Sequence, residues 1–100
     1  MYQPLDPLLQ NQLRLALMSL LSVETPLPFS GLKEKTAATA GNLSIQIAKL
    51  KAAGYIDVNK QFLNNYPQTL VCITEKGKTA FRNYATSMLG YLYPGAQNPE

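Results

Sequence analysis

TAATAGNLSIQIAKLKAAGY, residues 36–55, carries the clearest structural signal in this chain. Thr39 can begin a helix, because its hydroxyl accepts hydrogen bonds from the free backbone N–H groups one turn on. Gly54 follows the last periodic position, where a left-handed residue commonly ends a helix. The apolar residues that recur between them at helical spacing are Leu43, Ile47 and Leu50. The stretch predicts a helix over about residues 39–53.

The side of this helix opposite the apolar stripe is small, neutral or basic, and it carries no carboxylate. It can therefore lie in a nucleic-acid groove without like-charge repulsion. The candidate contacts on or beside this side are Asn42, Ser44, Ile45, Gln46 and Lys49. The two amides can pair with adenine edges, and Ile45 can meet a thymine methyl group. Three alternatives stay open: a solvated helix face, Ile45 packed on Leu32, or Ile45 on a protein-binding surface.

Length and composition fit a single folded domain with a mild basic bias. The chain has 100 residues, 46% of them hydrophobic and 15% charged, with a formal net charge of +3. This charge permits nucleic-acid binding without demonstrating it. Five lysines are concentrated in residues 33–60, where the acids are Glu34 and Asp57. These candidate phosphate contacts are Lys33, Lys35, Lys49, Lys51 and Lys60.

The residue types exclude most enzymatic chemistry. The chain has no histidine and one cysteine, Cys72, so Ser-His and Cys-His nucleophiles, histidine zinc sites and an intrachain disulfide are ruled out. No glycine-rich phosphate loop is present. We expect no catalysis, metal or cofactor. The first residues lack a secretory signal, and the apolar run over residues 13–23 is too short to span a bilayer. A cytoplasmic protein without membrane contact is expected.

The residues before the central helix predict two further helices. Asp6 and Pro7 suit the N-cap and first position of a helix that runs to about Ser22. Residues 26–29 form an extended connection, with a single strand bridge as an option. Ser30 then caps a short second helix. Two helices joined by a short turn, the second one longer, form a helix-turn-helix.

The residues after Gly54 predict a β-hairpin and a last helix. Residues 55–60 and 70–73 alternate or run apolar as strands do. Residues 61–69 are expected to form a long hairpin tip, in which Pro67 blocks ladder pairing. Thr74 caps a helix that runs to Tyr93. A helix-turn-helix followed by a β-hairpin is a winged helix, so the fold class is α+β and mostly helical over residues 1–93. A disordered tail is expected over residues 94–100.

Two groups of apolar residues need an explanation beyond local structure. The first helix is apolar nearly all round, which indicates cover on more than one side, either from its own domain or from a second subunit. The residues expected to join two subunits are Leu8, Leu15, Met18, Tyr84, Met88 and Leu92. In the hairpin tip, Phe62, Leu63 and Tyr66 are expected to pack rather than stand in water.

The chain resembles small winged-helix transcriptional regulators of the MarR-like type, in a compact single-domain subgroup. The resemblance is carried by LDPLLQNQLRLALMSLL at residues 5–21, GNLSIQIAKLKAAGYIDV at residues 41–58 and ITEKGKTAFRNY at residues 73–84. It implies a homodimer that binds double-stranded DNA, with the third helix in the major groove, the wing beside the backbone or in the minor groove, and the terminal helices at the subunit contact.

The sequence departs from this family at two DNA-facing places. Related chains carry basic residues where this one has Ile45 and Gln46, and their wings are rich in arginine, whereas this wing has Lys60 as its nearest cation. Fewer cations imply DNA binding that is weaker and less salt-dependent than the family norm. The alternative function is a winged-helix module that binds protein without reading DNA. A small-molecule effector is a further option that no residue identifies.

Overall fold

Residues 2–95 are described by a computed structural model and form the winged helix that the sequence predicts. Within them, a 3-10 turn over Pro7–Leu9 precedes the main elements. These are α1 (Gln12–Val23), β1 (Leu27–Pro28), α2 (Phe29–Thr36), α3 (Ala40–Ala52), β2 (Ile56–Leu63), β3 (Tyr66–Ile73) and α4 (Glu75–Leu92). Most of the predicted tail lies outside the described residues.

The N-terminal segment differs from the prediction, because two capping residues divide it. Asp6 accepts a hydrogen bond from the backbone N of Leu8 at 3.0 Å and caps the 3-10 turn. Asn11 then accepts from the backbone N of Arg14 at 2.9 Å and begins α1. The continuous helix expected from Asp6 is therefore wrong. Side chains of this type offer the backbone a local alternative to helix continuation.

The second helix and the short strand adjoin without a gap. β1 pairs with β3 through Leu27–Val71 and Pro28–Leu70, so the single strand bridge considered for this connection is a two-residue strand. α2 begins at Phe29 directly after it, with no side-chain cap. The predicted cap at Ser30 is wrong, because this residue already lies inside the helix.

The central helix agrees with its prediction. Thr39 accepts a hydrogen bond from the backbone N of Asn42 at 3.1 Å, and Gly54 has a φ of 80° just after the C-cap. The stripe of Leu43, Ile47 and Leu50 is buried. Burying this stripe fixes which side of α3 is left for solvent.

The hairpin is longer and its turn tighter than the sequence predicts. β2 and β3 are antiparallel from Ile56–Ile73 to Leu63–Tyr66. A two-residue turn joins them, in which Asn64 and Asn65 have φ values of 53° and 67°. Positive φ at both positions is the requirement of a type I′ turn. The long tip expected over residues 61–69 is therefore wrong.

Pro67 does not break the ladder as expected. It lies opposite Phe62, one step from the Leu63–Tyr66 pair that flanks the turn. Hydrogen-bonded and non-hydrogen-bonded pairs alternate along an antiparallel ladder. Since the pair that flanks a two-residue turn is hydrogen-bonded, Pro67 falls at a non-bonded position. Its missing N–H therefore costs no ladder bond.

One hydrophobic core joins the helices to the sheet. α1 lies against α2, α3, α4 and β3, so the domain itself supplies the cover that this apolar helix needs. The buried apolar residues are Leu9, Leu17, Met18, Leu21, Leu27, Leu32, Leu43, Ile47, Leu50, Ile56, Val71, Ile73 and Tyr84. The core thus holds α3 by one side only.

A close contact fixes the start of α4 against the end of α3. Thr74 Oγ1 accepts from the backbone N of Gly77 at 3.0 Å and donates to the carbonyl of Gly54 at 2.6 Å. The backbone N of Thr74 donates to the carbonyl of Tyr55 at 3.0 Å. A Cβ on Gly77 would lie 2.1 Å from that same carbonyl oxygen. The Thr-x-x-Gly sequence is therefore required by the approach of two backbones.

Candidate nucleic-acid interface

The outer side of α3 is exposed and free of carboxylates. Asn42, Ser44 and Lys49 are exposed, and Ile45 has 55% of its surface accessible. Ile45 therefore does not pack on Leu32, and the other two interpretations of this side chain stay open. This surface projects from a helix whose opposite stripe is anchored in the core, so it can meet a partner without disturbing the fold.

Gln46 does not lie on that outer side. It is 8% exposed, and its Oε1 accepts a hydrogen bond from Arg14 Nη1 at 2.5 Å. Its Nε2 donates to Asn42 Oδ1 at 3.0 Å. The prediction that Gln46 faces a groove is therefore wrong, because a buried amide is stable only where its polar atoms are paired. Instead of facing a groove, Gln46 holds the Asn42 side chain in place through its hydrogen bond.

Arg14 is the residue of this region that sequence reasoning missed. Its Nε donates to the carbonyl of Leu8 at 2.6 Å, which leaves Nη1 to reach Gln46. The guanidinium thus ties the 3-10 turn and α1 to the N-terminal half of α3. The available signal was a lone arginine in the apolar run LLQNQLRLALMSLLS, since a charge among leucines calls for a polar partner.

Exposed lysines lie on α3 itself and on two other elements. The set consists of Lys33 and Lys35 on α2, Lys49 and Lys51 on α3, and Lys60 on β2. None of the five takes part in an ion pair with another described residue of 2–95. Lys49 and Lys51 lie in the last turn of α3, where a positive charge is favourable against the helix dipole. All five ammonium groups are available to an external anion.

The wing presents aromatic groups rather than cations. Phe62 is 77% exposed and Tyr66 is 74% exposed, with Leu63 beside them. The tip therefore does not pack onto its own domain, whereas packing against a partner subunit or binding of another molecule stays a prediction. Phe62 and Tyr66 belong to neighbouring pairs of the ladder, so they lie on opposite faces of the hairpin.

Two of the residues predicted to join subunits lie inside the protomer. Met18 is fully buried and Tyr84 is buried in the core, because α1 packs against α4 and against β3. The prediction of a subunit contact through these two is wrong. Three of the other residues predicted to join subunits are half-buried against the core, namely Leu8, Leu15 and Met88. Leu92 is 60% exposed.

An open cleft of about 720 Å³ lies between the N-terminal segment and α4. Its lining includes Asp6, Tyr55, Lys76 and Tyr84. The Tyr55 hydroxyl donates to Asp6 Oδ2. Burial, together with this hydrogen bond and the carboxylate charge, raises the pKa of Tyr55 to about 12. The phenol therefore keeps its proton in the alkaline range in which a free tyrosine ionises.

Residues 2–95 contain neither a candidate metal-binding cluster nor a candidate membrane-spanning helix. No cluster of three or more histidine, cysteine, aspartate or glutamate side chains there could hold a metal ion. None of the helices in this range combines the length and the apolar character that crossing a bilayer demands.

Comparison with known proteins identifies the fold family. Residues 13–92 match the family described as Winged helix DNA-binding domain. The chain belongs to this family. The matched residues run from α1 to α4 without a break. The match therefore includes the exposed side of α3, the wing and the lysines around them.

Relatives of this winged-helix domain include transcriptional regulators. It is 38% identical over 61 residues to an uncharacterized protein of Methanocaldococcus jannaschii, a match that covers 61% of this chain and 66% of that protein, just under two thirds of its length. The transcriptional regulator homologue protein of Pyrococcus horikoshii OT3 is 28% identical, with 85% of this chain and 84% of that chain covered and a TM-score of 0.80.

A third match shows a shared fold. The PcaV transcriptional regulator of Streptomyces coelicolor, solved in complex with its natural ligand, gives a TM-score of 0.69 at 17% identity, covering 85% of this chain and 62% of that one. Together with the family match, these structures confirm the resemblance to MarR-like winged-helix regulators.

Proposed function

We propose that this chain is a homodimeric transcriptional regulator that binds a pseudo-palindromic DNA operator with α3 in the major groove. The exposed, carboxylate-free side of α3 carries the proposal, because its apolar stripe is anchored and its outer side is open. Asn42, Ser44 and Ile45 would face the bases, and Lys49 a phosphate. The lysines that would steer the protein or touch phosphates are Lys33, Lys35, Lys51 and Lys60.

The ends of the chain favour a homodimer. Leu89, Leu92 and Tyr93 are exposed at the C-terminal end of α4. On the same stretch of α4, the Tyr2 ring packs against Tyr91, with the two ring centroids 4.9 Å apart. An apolar cluster of this kind on a small domain indicates a protein contact. A second copy would cover it and set two α3 helices about 34–36 Å apart, the spacing of successive major grooves.

A small-molecule effector would act by changing the contact between the two copies. The cleft between the N-terminal segment and α4 opens beside the elements that would join the two copies. A small molecule wedged there would change the spacing of the two α3 helices, and with it the DNA affinity. This function needs no catalytic group, and it places the protein with the DNA in the cytoplasm.

Selection of bound sequences from a random duplex pool tests the proposal. Enrichment of a two-fold symmetric site is expected, with half-sites one helical turn apart. Light scattering on the free protein is expected to give the mass of two chains. Enrichment of an asymmetric site by a monomer would reject the dimeric part, and no enrichment would reject DNA reading.

A protein-binding module is the second candidate, and the wing favours it. Phe62 and Tyr66 are exposed in a cation-poor hairpin, and aromatic side chains are enriched at the centres of protein interfaces. A module of this kind would show little affinity for duplex DNA at any salt concentration.

A further inference from the structure

The side chains that connect α1 to α3 form a hydrogen-bond chain whose direction is set at one end. Arg14 is a donor only, since its guanidinium carries five N–H groups and no acceptor. It donates through Nε to the carbonyl of Leu8 at 2.6 Å and through Nη1 to Gln46 at 2.5 Å. The Gln46 atom that faces Arg14 must therefore be the oxygen.

This fixes the atom that Gln46 shows to Asn42. With Oε1 turned to the guanidinium, the amine Nε2 lies at the other side and donates to Asn42 Oδ1 at 3.0 Å. Rotating the Gln46 amide by half a turn would place its amine against the guanidinium, donor against donor. Since Gln46 is buried, water cannot relieve that conflict, and the reversed orientation is unfavourable.

The direction of these hydrogen bonds determines which atoms Asn42 presents at the protein surface. Asn42 is exposed and is the third residue of α3, in the N-terminal part that recognition helices direct at base edges. Its oxygen is turned to Gln46, and its Nδ2 donates to no other group in residues 2–95. Asn42 therefore shows two N–H donors to a partner.

We propose that Arg14, acting through Gln46, makes Asn42 a donor-presenting residue that selects a base with acceptors on its major-groove edge. Guanine presents N7 and O6, and thymine presents O4. Adenine, which an unconstrained asparagine matches with one donor and one acceptor, becomes the poorer partner. This inference rests on the proposed function and adds a positioning role for Arg14 and Gln46.

The experiment compares base preferences in sequences selected from a random duplex pool. The wild-type protein is expected to enrich guanine or thymine at one position of each half-site, by about three- to tenfold over cytosine or adenine, the range of one net hydrogen bond. Asn42→Ala is expected to lose preference at that position and at no other, which locates the contact.

Gln46→Glu reverses the direction of the hydrogen bond between this side chain and Asn42. The new carboxylate accepts from Arg14 but cannot donate to Asn42, so the Asn42 amine turns inward and its oxygen faces out. The preference at the located position is expected to move to cytosine or adenine, whose exocyclic amines are donors. Gln61→Glu is the matched control, because Gln61 is exposed on β2, away from Asn42. It adds the same charge and is expected to lower affinity without changing any base preference.

A second variant keeps the test decisive if Gln46→Glu does not fold. Asn42→Asp changes only an exposed side chain in the first turn of α3, where a negative charge is tolerated. Its carboxylate has acceptors alone, so the preference is again expected to move to cytosine or adenine.

Three results would overturn the proposal. They are wild-type preference for adenine at the position located by Asn42→Ala, unchanged preferences in Asn42→Ala, and a uniform loss of affinity in Gln46→Glu or Asn42→Asp with no base shift. All three presuppose that the wild-type protein enriches DNA sequences. Failure of the wild-type protein to enrich any sequence would instead reject the proposed function, and this inference with it.

Discussion

Arg14 Nη1 lies 2.5 Å from Gln46 Oε1, and this contact joins α1 to the helix that carries the candidate DNA-binding face. Gln46 also donates to Asn42, so one buried amide connects the support of α3 with its outer side. The orientation of the Asn42 side chain on the outer side of α3 therefore depends on how α1 packs.

Replacing Arg14 should destabilise the domain. Arg14→Met keeps much of the apolar stem but leaves the buried Gln46 oxygen and the Leu8 carbonyl without their donor. An unsatisfied buried polar group costs about 1–3 kcal/mol, and a loss of this size is expected in denaturant unfolding. Arg82→Met, at an exposed position of α4, is the control and should change the free energy of unfolding by less than about 0.5 kcal/mol. Equal stability of the two variants would contradict the structural role of Arg14.

Gly77 and Gly41 should respond in opposite directions to the same substitution. Gly77→Ala places a methyl group 2.1 Å from the Tyr55 carbonyl oxygen, so the two backbones must separate. A loss of more than about 2 kcal/mol is expected from such overpacking. Gly41 lies in α3 with nothing within 4 Å of its added Cβ, and Gly41→Ala should raise stability by up to about 1 kcal/mol. Thermal unfolding of both variants measures the contrast, and a tolerated alanine at position 77 would refute the close approach.

Tyr55 should make stability fall at high pH. Its pKa is raised from 10.0 to about 12 in the folded protein, so the unfolded chain loses the phenolic proton first. The contribution is complete below pH 10 and is lost as the pH rises towards 12. The free energy of unfolding should therefore fall less steeply over this range in Tyr55→Phe, which retains every other tyrosine. Parallel curves for the two proteins would rule out the raised pKa of Tyr55.

The sequence predicted the features that depend on neighbours in the chain. The helix of residues 40–52 needed only a capping hydroxyl at Thr39, a stripe at i, i+4 and i+7, and a glycine able to adopt a positive φ at Gly54. The Thr-x-x-Gly start of α4 was recognised as a family feature, although its reason, the approach to the Tyr55 carbonyl, is visible only in three dimensions.

The features that sequence reasoning missed depend on residues far apart in the chain. A helical wheel puts Gln46 on the flank of the outer side, and only Arg14, on another helix, draws it inward. The burial of Met18 depends on elements that meet α1 after folding. Pro67 was misjudged because its effect on pairing depends on the register that Asn64 and Asn65 impose.

The salt dependence of affinity for duplex DNA shows whether the exposed side of α3 and its lysines bind phosphates. Fluorescence anisotropy would follow the wild-type protein, Lys49→Gln, Lys33→Gln and the control Arg82→Gln over a range of salt concentrations. Each lysine that touches a phosphate contributes about 0.9 to the slope of log affinity against log salt. We expect steep loss of wild-type affinity with salt, a slope smaller by about 1 in each lysine variant, and no change in Arg82→Gln. Negligible wild-type affinity at low salt, or slopes unaltered in both lysine variants, would contradict DNA binding through this face of α3.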